Sequence, residues 1–134
     1  MLTKSEAETG KIARLFAKSL QPGDIVALHG DLGAGKTTFV RAVVEEIAPE
    51  NFVQSPTFTY LNIYEGKLPL YHFDLYRIAN QEIFVQMGFL DYLFENEGIC
   101  FIEWPQRISS LLPEKTKHVV LTHEENGGRM IDVQ

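Results

Sequence analysis

The sequence predicts an α/β fold in three layers, with a mostly parallel central sheet and an antiparallel portion at one edge. A short, wholly apolar run at residues 99–102 has the composition of a strand buried on both faces of a sheet, and residues 25–29 also predict a buried strand. Segments with helical periodicity alternate with such strands along the chain. The 134 residues are 45% hydrophobic and 22% charged, which is typical of a compact globular chain. We therefore expect a single domain over residues 1–134.

The first part of the chain predicts a helix, a strand and a second helix. Thr3 and Glu6 have capping-box spacing, so the first helix is expected over about residues 3–20. Its apolar stripe consists of Ile12, Leu15, Phe16 and Leu20. Residues 25–29 form the first buried strand, and apolar residues about four apart predict a helix over about residues 36–47.

The second part alternates between strands and short helices. Aromatic and branched residues at 59–64 and 70–73 predict a hairpin. A helical region with its apolar residues between 83 and 94 is interrupted at Gly88. The remaining predicted elements are a buried strand at 99–102, a short helix at about 107–112, and strands at 118–122 and 130–133.

Charge and composition exclude several classes of function. Twelve Lys and Arg against eighteen Asp and Glu give a net charge of -6, which disfavours direct binding of a nucleic acid through a broad basic face. The lone Cys100 lies in an apolar run and is expected to be a reduced, buried thiol. No secretion signal is evident, and no segment approaches the roughly 18 apolar residues of a membrane span. A cytoplasmic location without membrane contact is expected.

The strongest motif is Gly30-Asp31-Leu32-Gly33-Ala34-Gly35-Lys36-Thr37, which matches G-x-x-x-x-G-K-[ST] between a predicted strand and a predicted helix. Glycines let the backbone curl so that its N–H groups point at a phosphate, beside the positive end of the helix. Lys36 is expected to reach the β- and γ-phosphates, and the Thr37 hydroxyl to bind Mg²⁺. The motif narrows the fold class to a P-loop NTPase-like fold.

Two carboxylates follow predicted strands. Glu103 comes after strand 99–102, where an acidic residue could hold Mg²⁺ or orient the attacking water. Asp74 comes after strand 70–73 and is a second candidate for hydrolysis. Each could instead cap a helix or pair with a surface arginine. The sequence leaves open which of the two carboxylates positions the attacking water.

Three further residues are weaker candidates. Thr57, within Ser55-Pro56-Thr57-Phe58, could sense the γ-phosphate or belong to an ordinary turn. Trp104 could pack beside a nucleotide or anchor the core. His72 is interpreted as a structural histidine rather than as a base.

Three functions remain open on the motifs alone. The first is a Mg²⁺-dependent ATPase, slow by itself and activated by a partner, because no arginine is an evident finger for the transition state. The second is a non-catalytic ATP-sensing regulatory module that uses the loop at Thr57. The third is a small-metabolite kinase with Asp74 as base. The absence of an Asn-Lys-x-Asp segment favours adenine over guanine in all three.

Four motifs in this order resemble the TsaE (YjeE) family of bacterial ATPases. They are Gly30-Asp31-Leu32-Gly33-Ala34-Gly35-Lys36-Thr37-Thr38, Ser55-Pro56-Thr57-Phe58, His72-Phe73-Asp74-Leu75-Tyr76-Arg77 and Glu103-Trp104-Pro105. The resemblance implies a role in forming N6-threonylcarbamoyladenosine at position 37 of tRNAs that read codons beginning with A. It also implies that the protein docks on TsaD and TsaB, supports their turnover with its ATP cycle, and meets tRNA only indirectly.

The resemblance assigns roles by position. Catalysis would involve Lys36, Asp74 and Glu103, and Mg²⁺ would be held by Thr37 and Glu103. ATP or ADP would be bound by Asp31, Leu32, Gly33, Ala34, Gly35, Lys36, Thr37, Thr38, Thr57 and Trp104.

Overall fold

The computed structural model describes residues 1–31, 34–49, 60–95, 97–125 and 127–134. The strands are β1 (Leu2–Thr3), β2 (Ile25–His29), β3 (Leu61–Tyr64), β4 (Leu70–Asp74), β5 (Ile99–Glu103), β6 (Lys117–His123) and β7 (Arg129–Val133). The helices are α1 (Glu6–Lys18), α2 (Lys36–Ile47), α3 (Gln81–Gln86), α4 (Asp91–Phe94) and a 3₁₀ helix at Pro105–Leu111. Among these residues, we find no helix with the length and apolar character needed to cross a membrane.

All of these strands belong to one mixed sheet. Its order is β1-β7-β6-β2-β5-β4-β3. The four central strands, β6, β2, β5 and β4, run parallel. Antiparallel pairs lie at both edges, β3 with β4 on one side and β6, β7 and β1 on the other. The predicted fold class is therefore confirmed, with antiparallel strands at two edges rather than one.

Helices cover both faces of the sheet, which produces the three layers. Alternate residues of the central strands point to opposite faces, so Val26 and Leu28 pack against α1 and α2. Ile25 and Ile102 pack on the other face, against α3, α4 and the 3₁₀ helix. Cys100 belongs to this second cluster as a free, fully buried thiol, and burial raises its pKa. Strands β2 and β5 are thus buried on both faces, which the apolar run at residues 99–102 predicts for β5.

Helix α1 begins two residues later than the capping box at Thr3 and Glu6 predicts. Ser5 is its N-cap, and the Ser5 hydroxyl accepts a 3.1 Å hydrogen bond from the backbone N–H of Glu8. Thr3 lies instead in β1, buried and paired with Arg129 of β7. The prediction was wrong because Ser5 and Glu8 have the same spacing, and the backbone at Thr3 is used by the sheet.

Small residues form the buried face of α1. Thr9, Gly10, Ala13 and Ala17 are buried. Leu15, which the predicted stripe includes, is 63% exposed, so this part of the prediction was wrong. Ile12, Phe16 and Leu20 are partly buried against the core, as expected. The absence of bulk on the buried face lets α1 lie close to α2, which brings the start of α1 towards the loop that precedes α2.

The other predicted elements differ mainly at their ends. The carboxylates at the ends of β4 and β5 are part of the strands, as their final residues. The region at 83–94 splits into α3 and α4 around Gly88, which has a positive φ of 80°. The helix predicted at 107–112 is the 3₁₀ helix. Residues 50–59, where the predicted hairpin begins, lie outside the described part of the chain.

Gly98, directly before β5, is expected to tolerate no side chain. A Cβ atom there would lie 2.0 Å from the Pro69 carbonyl oxygen, which accepts the first hydrogen bond of β5, from Ile99. We expect Gly98→Ala to lower the free energy of unfolding by about 1–3 kcal/mol, the usual effect of overpacking. Chemical denaturation followed by circular dichroism measures it.

Gly10→Ala is the matched control for this substitution. A Cβ atom at Gly10 would be 3.7 Å from the Ala42 Cβ, an ordinary contact. Because alanine is the better helix former, this variant is expected to gain about 0.5–1 kcal/mol. Equal stability of the two variants would contradict the close approach of Pro69 to Gly98.

Candidate active site

The loop between β2 and α2 makes a tight turn that depends on glycine. A Cβ atom at Gly30 would lie 2.6 Å from the Leu121 carbonyl oxygen of β6. Gly35 is the N-cap of α2 with a left-handed φ of 99°, which other residues adopt at a cost. The Ala34 N–H donates to the Asp31 carbonyl at 3.0 Å. A short connection therefore joins the end of β2 to the N-terminus of α2, as the motif predicts. Leu32 and Gly33 lie outside the described residues.

A cavity of about 550 Å³ lies beside this turn. Its size falls in the range of small-molecule sites. Its walls include seven residues that the sequence analysis singles out, from the turn, from α2 and from the ends of β4 and β5: Gly35, Lys36, Thr37, Thr38, Asp74, Glu103 and Trp104. The structure thus brings the predicted site residues of three separate motifs to one place.

Lys36 is a buried cation at the wall of this cavity. The residue is 5% exposed, and its Nζ has no hydrogen-bond partner in the part of the chain that the structure describes. The Nζ lies 3.9 Å from the centroid of the Trp104 ring. Burial lowers the pKa of Lys36, while the Glu103, Asp74 and Asp31 carboxylates act in the opposite direction. A buried ammonium with unused donors is suited to bind an anion that enters the cavity.

Asp74 and Glu103 are neighbours across two parallel strands. They are the last residues of β4 and β5 and stand opposite each other in register. Burial raises the pKa of Asp74, and the nearby Glu103 charge adds to this effect, while the Tyr76 N–H, 3.1 Å from Asp74 Oδ1, opposes it. The hydrogen bond from the Tyr76 N–H agrees in part with the alternative interpretation of Asp74 as a capping residue. For Glu103 the alternative was a surface arginine, but its hydrogen-bond partner is a histidine.

That histidine is His72. Its Nε2 lies 2.6 Å from Glu103 Oε2. The two side chains are 2% and 6% exposed, so the contact is shielded from water. The interpretation of His72 as a structural histidine did not anticipate a bond to a candidate site residue.

Trp104 has an unusual backbone conformation. Its φ of 60° and ψ of 50° are left-handed, and no other non-glycine residue in the described ranges has a positive φ. Such a conformation costs roughly 1–2 kcal/mol, and strain of this kind concentrates at functional sites. The ring packs on Tyr76 at 5.0 Å between centroids and beneath Lys36. Trp104 therefore forms part of the cavity wall, and it also packs, partly buried, against the second core cluster.

Two further segments line the cavity, and no motif in the sequence links them to it. They are the start of α1, with Ser5, Glu6 and Thr9, and the hairpin between β6 and β7, with Gly127 and Arg129. Arg129 donates from Nη1 to the Gly127 and Gly128 carbonyls at 3.0 and 3.1 Å. The pairing of β1 with β7 brings these distant segments together. The structure thus adds an arginine to a site for which the motifs indicate none.

Thr57 and the segment around it lie outside the described residues. Its role as a sensor of the γ-phosphate stays a prediction.

The structure defines an α/β protein in which a glycine-rich turn joins a parallel strand to a helix. Comparison with known proteins narrows this class. The family model "Threonylcarbamoyl adenosine biosynthesis protein TsaE" matches residues 3–131. The chain belongs to the TsaE family, which takes part in the biosynthesis of threonylcarbamoyladenosine in tRNA.

Individual relatives agree with this assignment. The TsaE protein of Bacillus subtilis is 40% identical over 130 residues, which are 96% of this chain and 80% of the relative. The TsaE protein of Treponema pallidum is 37% identical over 132 residues, 98% of this chain and 97% of the relative. The crystal structure of Bacillus subtilis YdiB superposes with a TM-score of 0.79 at 36% identity, covering 98% of this chain and 80% of that one.

Proposed function

We propose that this protein binds ATP and Mg²⁺ and hydrolyses ATP in support of the TsaD/TsaB complex. That complex would form N6-threonylcarbamoyladenosine at position 37 of tRNAs that read codons beginning with A. The observation that carries the proposal is the buried Lys36 ammonium, which lines a cavity together with two strand-end carboxylates and has no hydrogen-bond partner among the described residues.

Binding of the phosphates follows from the turn and the helix. The first backbone N–H groups of α2 have no acceptor within the helix, and its N-terminus carries partial positive charge. Lys36 adds a full positive charge at the same point. This arrangement is suited to a chain of phosphates.

The residues also fit Mg²⁺. Thr37 and Glu103 offer the oxygen ligands that this ion prefers, and both line the cavity. The described residues contain no group of three or more His, Cys, Asp or Glu side chains that could hold a metal by themselves. The ion would therefore depend on phosphate oxygens for much of its coordination, and when bound it would offset the negative charge of the phosphates.

For hydrolysis, a carboxylate must orient water against the terminal phosphate. Asp74 and Glu103 both lie at the cavity, and Glu103 is also a candidate ion ligand. Arg129 is held by the hairpin carbonyls next to it, so we expect no free arginine finger and slow turnover without a partner.

The rest of the cavity is available to the nucleoside. The start of α1 and the hairpin of β6 and β7 line it, and the Arg129 side chain lies next to Gly35. Glu6 and Arg129 provide polar groups of both signs there. The net charge of -6 agrees with a role in which tRNA is held by the partners.

Phosphate release from ATP and from GTP, each with and without purified TsaD and TsaB, tests the proposal. We expect release from ATP that rises when the partners are added. Appearance of a phosphorylated metabolite instead of free phosphate would favour the kinase alternative. Partner affinity that changes from ADP to ATP without any turnover would favour the regulatory module.

A further inference from the structure

We propose that His72 is a positioning residue that holds the Glu103 carboxylate in its working orientation through a hydrogen bond from Nε2 to Oε2. This inference rests on the proposed function in one respect, since it assigns a purpose to the orientation of Glu103. The contact itself is a property of the folded chain.

The strand register explains how the two side chains meet. His72 stands opposite Phe101, and Asp74 opposite Glu103, on the neighbouring parallel strands β4 and β5. Residues two apart on a strand share a face, so His72 and Asp74 lie on the same side of β4. Glu103 is thus flanked by Asp74 beside it and by His72 one step back along the strand.

His72 does not line the cavity, so it would affect a ligand there by holding Glu103. The cavity wall includes Glu103 but not His72, although the two are 2.6 Å apart. An ionised carboxylate can only accept a hydrogen bond, so Nε2 carries the proton and donates it to this bond. With Oε2 bonded to His72, the orientation of the whole Glu103 carboxylate towards the cavity is held.

A buried carboxylate needs such a partner. Both side chains are nearly inaccessible to water in the folded chain, so the bond does not compete with bulk solvent and its loss leaves the carboxylate without this partner. Glu103 has three rotatable side-chain bonds, and its rotamer would then be set by Lys36, by Asp74 or by the ligand. Partners that orient a ligand or catalytic group typically affect activity about 10- to 100-fold when they are removed.

The first test compares three substitutions of His72 by steady-state ATP hydrolysis. The amide nitrogen of glutamine can take the place of Nε2, whereas that of asparagine corresponds to Nδ1 and leucine has no donor. We expect His72→Asn and His72→Leu to lower kcat by about 10- to 100-fold with a nearly unchanged KM for ATP. His72→Gln should restore most of kcat. A uniform effect of the three variants, or none, would overturn the proposal.

The second test reads the orientation of Glu103 without nucleotide. Crystal structures of wild type, His72→Gln and His72→Asn should show the same Glu103 rotamer in the first two and a different or disordered one in the third. An unchanged rotamer in His72→Asn would refute the positioning role even if wild type proved inactive. If the rotamers are as expected but the wild-type protein does not hydrolyse ATP, only the proposed function is refuted.

His118→Gln is the control for both tests. His118 is a partly buried histidine of the same sheet that bonds His29 at 2.9 Å and does not line the cavity. Its substitution should leave kcat and the Glu103 rotamer as in wild type. A fall in kcat equal to that of His72→Asn would count against a specific role of His72.

Discussion

The ATP affinity of a Lys36→Ala variant is expected to fall by about 10- to 100-fold, the effect of losing a hydrogen bond to a charged group. Lys36 is buried, and its Nζ has no hydrogen-bond partner among the described residues, so its donors are not committed elsewhere. Isothermal titration calorimetry with ATP and Mg²⁺ measures the dissociation constant directly.

The melting temperature distinguishes a direct loss of ATP affinity in Lys36→Ala from unfolding of the variant. The alanine variant loses a buried ammonium that has desolvation to overcome, so without nucleotide it should melt no lower than wild type. Lys67→Ala, at an exposed lysine between β3 and β4, is the matched control and should bind ATP as wild type does. Wild-type affinity in the Lys36 variant would remove the main support for a phosphate site at this turn.

Hydrolysis by a Glu103→Gln variant is expected to fall by about 100-fold or more, in line with the loss of a group that transfers or positions a proton. Glutamine keeps the shape of the side chain and can still accept the bond from His72. ATP binding should therefore change much less than turnover. Phosphate release and calorimetry on the same preparation provide the two numbers.

The ratio of the two losses assigns the role of Glu103. Equal loss of binding and turnover would point to anchoring of the metal ion rather than to orientation of water. Asp74→Asn, measured in the same way, shows which carboxylate turnover depends on more. Glu114→Gln, at an exposed position far along the chain, is the control for removal of a negative charge. Full activity of both cavity variants would exclude hydrolysis through these carboxylates.

The central part of the fold could be predicted because it depends on local signals. The apolar runs of β2 and β5 favour burial in the middle of a sheet, and the apolar face of α2 has helical spacing. Strand β1 could not be predicted, because two residues carry no periodicity and its pairing with β7 depends on contacts between the ends of the chain. The same long-range pairing set the true start of α1.

The candidate site likewise contains residues that the sequence predicts and residues that it does not. The turn, Lys36 and the residues that end β4 and β5 were predictable, since parallel strands place their carboxyl ends at one edge of a sheet. The hydrogen bond of His72 to Glu103 depends on strand register, which the sequence does not specify for parallel strands. Arg129 reaches the cavity through a hairpin whose position follows from the packing of β1 on β7.

The contact between Lys36 and Trp104 has a consequence for any ligand of the turn. A phosphate that draws the ammonium away from the indole must also replace a cation–π contact, which is worth roughly 0.5–2 kcal/mol. The measured affinity is therefore the difference between two competing attractions for one cation. Since the chain has a single tryptophan, its emission spectrum would follow this exchange optically, without any attached dye.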